Sequence, residues 1–94
     1  MIKKSLVESV IATYGATVQK CVAMEEMAEL TKEITKDIRG KLNRQALIEE
    51  FADVTIVLDE LKLIYNLTNK EINQVRDAKL KRLKSNLEKT YDNK

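Results

Sequence analysis

Two acid pairs are the part of this chain whose residue types and spacing can do chemistry. Glu26 and Glu29 lie in EEMAEL (25–30), and Glu50 and Asp53 lie in EEFADV (49–54). Residues three apart on a helix project to the same side, so each pair would present two carboxylates together. Such oxygens suit a hard divalent cation, above all Mg²⁺, which often completes its coordination with substrate phosphates. A lone E-x-x-E is common on solvated helices and carries little weight. A second pair on the following helix, set on its apolar side, is far less expected by chance.

The elements that must position these acids are helices. The chain has no Pro, two Gly and 34% charged residues, rich in Lys and Glu. Few breakers and many good helix formers predict long helices with short connections, an all-α fold. Residues 2–14 are expected to form a short amphipathic helix, with Ile2, Leu6, Val10 and Ile11 near helical spacing and Gly15 closing it. A second helix is expected from about Thr17, read as its N-cap, to about Arg39, where Gly40 stops it. Asn43 can cap a third helix running to Tyr65, and Thr68-Asn69-Lys70-Glu71 has capping-box spacing for a fourth running towards Lys89. Short connections imply antiparallel neighbours, so helices two and three should form the core hairpin of a four-helix bundle.

At about 100° per residue, each side chain can be placed around its helix. On helix two the apolar stripe is carried by Leu30, Ile34, Met27, Ile38, Met24, Ala28 and Cys21, which predicts Cys21 and the methionines as core. Glu26 borders that stripe beside Leu30, and Gln19 lies seven residues before it. On helix three, Leu47, Phe51, Val54, Leu58, Leu61 and Tyr65 form the broad apolar face, while Asp59 and Lys62 mark the polar direction. A helix apolar nearly all round is usually buried, which sets Glu50 and Asp53 where water is scarce. Two like charges about 4 Å apart repel by about 4 kcal/mol at an effective dielectric near 20, and desolvation adds to that cost. Protonation, basic partners or a metal must offset it. Lys32, Lys36 and Lys62 are expected to point elsewhere, which favours the metal.

Ninety-four residues predict a single domain spanning 1–94, near the lower end of what builds its own core. Phe51 and three Tyr are its only aromatics, so burying a further face against a second copy would help, and a homo-oligomer is expected. The one cysteine excludes an intramolecular disulfide, and with no His there is no zinc cluster. Glu8 interrupts the first apolar stretch, against a signal peptide, and no apolar run approaches the roughly 18 residues of a membrane span. The expected setting is reduced, soluble and cytoplasmic, with no membrane partner. Residues 1–68 carry 9 basic and 11 acidic side chains, and residues 69–94 carry 8 and 4. Arg76, Lys79, Lys81, Arg82 and Lys84 are the cluster a nucleic-acid binder would use, but they spread around the last helix and lack stacking aromatics, so none is expected.

The two acid blocks resemble the EExxEL and ExxD blocks of the MazG-like, all-α nucleoside triphosphate pyrophosphohydrolases, a group related to the dimeric dUTPases. Gln19 matches a Gln often found before the first block in that family. Arg82-Leu-Lys-Ser-Asn86-Leu-Glu-Lys89 resembles a K-x-x-x-N-x-x-R/K segment on the last helix, with Arg82 where Lys is more usual. The resemblance covers roughly residues 17–91. It implies a Mg²⁺-dependent hydrolase, with Mn²⁺ as a substitute, that converts a nucleoside triphosphate to monophosphate and pyrophosphate. The implied metal ligands are Glu26, Glu29, Glu50 and Asp53. Acids left free, among Glu25, Glu33 and Glu49, would orient or deprotonate the attacking water. Lys79, Arg82, Asn86 and Arg76 would grip the triphosphate, and Gln19 would reach base or ribose. The competing reading is a non-catalytic helical dimerisation module, which has no need of acids on the apolar side.

Overall fold

The computed structural model describes residues 3–92, and its regular structure is four helices with no strand among the described residues. They are α1 (Lys4–Tyr14), α2 (Ala16–Ile38), α3 (Arg44–Ile64) and α4 (Asn69–Asp92). Ile2, expected in the first helix, lies outside the described residues. No helix among them is long and apolar enough to cross a membrane.

The breaks between helices follow local chemistry. Gly15 joins α1 to α2 alone, at φ 90° and ψ 150°, a conformation that suits a residue without Cβ. Its carbonyl accepts from the Gln19 N–H at 3.1 Å, so α2 starts at Ala16 and Thr17 does not cap it. Gly40, at φ 76°, ends α2: its N–H donates to Asp37 and the Lys41 N–H to Lys36, both at 2.9 Å, the pattern of a Schellman stop. Asn66 does the same for α3 at φ 57°, a value Asn tolerates better than most side chains. Asn43 caps α3 by accepting from the Ala46 N–H at 3.0 Å. At the start of α4, Thr68 and Glu71 close the expected capping box, with bonds of 2.9 and 3.1 Å.

The expected hairpin of α2 and α3 is the centre of the fold, and α1 packs on both helices. By contrast, α4 packs against none of them. The radius of gyration is 17.2 Å, where a compact chain of this length would have about 12 Å.

The packed faces differ from those expected. Buried positions are Val7, Ala23 and Val57 together with Gln19, Glu33 and Glu60. The hairpin therefore closes along Gln19-Ala23-Glu26-Leu30-Glu33 on α2 and Glu50-Asp53-Val57-Glu60-Ile64 on α3, two helical lines rich in polar groups. The stripe expected as core is exposed on α2 at Met24, Met27, Ile34, Ile38 and Cys21. The same holds on α3 for Phe51, Leu58 and Tyr65. The small Ala23 and modest Val57 let the two helices meet along this line, and the larger apolar residues are left on its flank. Asp59 and Lys62, expected in a polar direction, are half-buried and paired at 3.4 Å in a cleft shared with Lys4 and Val7 of α1. Lys36, expected to point away from the acids, donates to Glu33 Oε1 at 3.0 Å.

Candidate metal centre

The hairpin brings Glu26 from α2 against Glu50 and Asp53 from α3. One carboxylate oxygen from each lies within 4.8 Å of the others. The antiparallel register does this: an acid early in α3 meets one halfway along α2. Glu26 and Glu50 are half-buried, and Glu50 Oε2 is buried with no hydrogen-bond partner.

Electrostatics follow from this crowding. The Glu26 carboxyl is held above its ordinary range by desolvation first, then by its hydrogen bond and charge contact with Asp53, then by Glu50 and Glu29. Glu50 is raised by desolvation, then by Asp53, Glu29 and Glu33, and is pulled part of the way back by a hydrogen bond from Glu26. No lysine or arginine contributes to either balance. An all-oxygen donor set with an orphaned buried carboxylate oxygen fits a hard divalent cation such as Mg²⁺.

The other expected site residues divide clearly. Glu29 is exposed and stands beside the trio, close enough to raise Glu26 and Glu50 but outside the group of three. Glu25 and Glu49 are exposed near the two acid blocks, and Glu49 accepts from Gln45 at 3.4 Å. Glu33 is buried, with Oε1 on Lys36 and Oε2 unpartnered. Gln19 is buried in the hairpin, two helical turns before Glu26. Arg76, Lys79, Arg82 and Asn86 are exposed on α4, and the structure does not bring them to the acids.

Glu60 was not anticipated. It is 6% exposed, its Oε2 has no partner, and burial raises its carboxyl above the ordinary range. The signal was present in the spacing, since Glu60 lies seven residues after Asp53 and so on the same side of the helix. No family model matches the chain, and no curated protein or solved structure matches it.

Proposed function

We propose that this chain is a divalent-metal-dependent nucleotide pyrophosphohydrolase that works as a homo-oligomer in a reducing, cytoplasmic setting. The observation that carries the reading is the meeting of Glu26, Glu50 and Asp53 across the hairpin, with a buried Glu50 oxygen that lacks any partner. The likeness of EEMAEL and EEFADV to the MazG-like blocks supplies the reaction class. In that reaction water adds to a phosphorus of a nucleoside triphosphate, the α–β phosphoanhydride breaks and pyrophosphate leaves. Magnesium would supply the positive charge that neutralises phosphate oxygens and makes a water more acidic. Glu26, Glu50 and Asp53 would hold it, with Glu29 completing the set after a rotamer change. Glu49 or Glu25, exposed and next in sequence to Glu50 and Glu26, would take the water's proton.

The test is a panel of nucleoside and deoxynucleoside triphosphates read as pyrophosphate release with and without Mg²⁺. Turnover dependent on Mg²⁺ or Mn²⁺ is expected, and its absence across the panel at micromolar enzyme removes the catalytic claim. Asp53→Asn should lower turnover by more than 100-fold while raising the melting temperature of the metal-free protein, because one of three crowded charges is gone. An active Asp53→Asn variant refutes the ligand assignment.

A second reading, a helical dimerisation module without catalysis, is favoured by the apolar flank that the hairpin leaves open at Met24, Ile34, Phe51 and Leu58. It requires a melting temperature indifferent to Mg²⁺ and nucleotide.

A further inference from the structure

The start of α1, the end of α3 and the turn into α4 enclose a cleft of about 280 Å³. Asp59, which lines it, lies about 9 Å along α3 from Asp53 and about 120° around the helix, so the cleft belongs to a different face from the acid trio. Val7, Leu63 and Leu67 supply its apolar lining. Its charged lining is the Lys4 and Lys62 ammonium groups and the Asp59 carboxylate.

The charges there are unevenly matched. Lys62 and Asp59 are half-buried and 3.4 Å apart, longer than the roughly 2.7–2.9 Å of a strong charge-assisted bond. An ammonium has three donors, so this pair leaves Lys62 with donors to spare. Lys4 meets only Glu8, at 3.9 Å with both side chains exposed, a pairing that contributes little. Two cations against one carboxylate give the cleft a surplus of one positive charge. The end of α4 adds little to it, because Glu71 already accepts from the Thr68 N–H and hydroxyl. Asn66 and Asn69 also line the cleft, and their side-chain amides bond no other described residue. Asn66 is held at the corner by its φ of 57° and by the Leu67 N–H, which donates to the Lys62 carbonyl at 2.8 Å.

We propose that this cleft binds a small organic monocarboxylate, with its head between Lys4 and Lys62 and its apolar body on Val7, Leu63 and Leu67. A single negative charge matches the surplus, and the amides of Asn66 and Asn69 can donate to the same head. The volume lies just below the 300–1,000 Å³ or so of drug-sized pockets, so the ligand is compact. Occupancy has a consequence for the fold. Because α4 packs against no other helix, its direction rests on the turn that the cleft adjoins. A ligand touching α1, α3 and the first residues of α4 together would fix that direction. None of this depends on the pyrophosphohydrolase reading.

The probe is hexanoate, followed by amide and methyl NMR shifts of Val7, Leu63, Asn66, Leu67 and Asn69. Saturable shifts are expected, with a dissociation constant on the order of 1 mM for so small a ligand. Hexylamine and 1-hexanol, which keep the apolar body without the negative head, should bind weaker by on the order of tenfold or more. Lys62→Gln and Lys4→Gln should each weaken hexanoate by a similar factor. The Lys4 side chain is exposed, so a loss in that variant cannot come from unfolding. Shifts still linear at about 10 mM, equal binding of 1-hexanol, or indifference to both variants overturns the site. For α4, spin labels on Cys21 and on Ser85→Cys report its distance from α2, with unlabelled protein in excess. Saturating hexanoate should narrow the distance distribution. An unchanged distribution overturns the fixing of α4, while the NMR titration still decides the site.

Discussion

Among the described residues three glutamates carry a buried oxygen with no partner, Glu33, Glu50 and Glu60, and they differ in what relieves them. Glu33 has Lys36 on its other oxygen and Glu50 has a hydrogen bond with Glu26. Glu60 has neither, and desolvation alone raises its carboxyl above 4.5. A raised acid penalises the folded state only when ionised. The penalty is absent below the unfolded value, grows as pH rises through the folded value, and is constant above it. Glu60→Gln should therefore stabilise the protein at pH 8 by on the order of 1 kcal/mol, with the gain shrinking towards pH 4.5. Urea midpoints of both proteins across that range check the sign. A gain independent of pH would mean that the charge on Glu60 is not the cause.

The helix ends show how much local chemistry can decide. Gly40, Asn43 and the Thr68–Glu71 box were legible because each needs only its own neighbours, and each does what its type suggests. Thr17 failed as a cap because Gly15 already turns the corner and starts α2 with its carbonyl. Asn43→Ala should cost about 1 kcal/mol and accelerate amide exchange in the first turn of α3. The Glu71 carboxyl is held below its ordinary range, first by the Thr68 N–H and then by the Thr68 hydroxyl. A depressed acid stabilises above its unfolded value, so that support is lost as pH falls through the folded value. The start of α4 should fray in acid, and circular dichroism at 222 nm of Glu71→Gln, which removes the pH dependence, measures it.

At the scale of the whole molecule the acid pairs were legible and the core was not. Helical angle set Glu26 and Glu50 at the margin of the packed face, where both are half-buried, and the register of the hairpin brings them to Asp53. The same angles mistook the apolar stripe of Met24, Met27, Ile34, Phe51 and Leu58 for a core within one chain. An apolar arc states that something covers it, and the pattern is identical whether the cover is another helix of the same chain or another chain. Glu29 and the α4 residues stand outside the trio for a related reason: motif spacing is read along the chain, and the structure of one copy leaves α4 apart. If a cation binds the folded trio, Mg²⁺ at 100 times its dissociation constant should stabilise the protein by about 2.7 kcal/mol. Thermal melts with and without Mg²⁺ measure this, and Asp53→Asn should lose most of the effect.

The separation of α4 also bears on how the chain acquires its structure. Most contacts among α1, α2 and α3 join helices adjacent along the chain, and such helical topologies form in microseconds to milliseconds. In a lone chain α4 has its capping box and intrinsic propensity but no packed neighbouring helix, and in proteins most helical stability comes from tertiary packing. Refolding should thus begin with a fast step that is indifferent to protein concentration, followed by a slower gain of helicity whose rate increases with it. At high dilution the hairpin would outlast its own C-terminal helix on heating, and a single melting transition would become two.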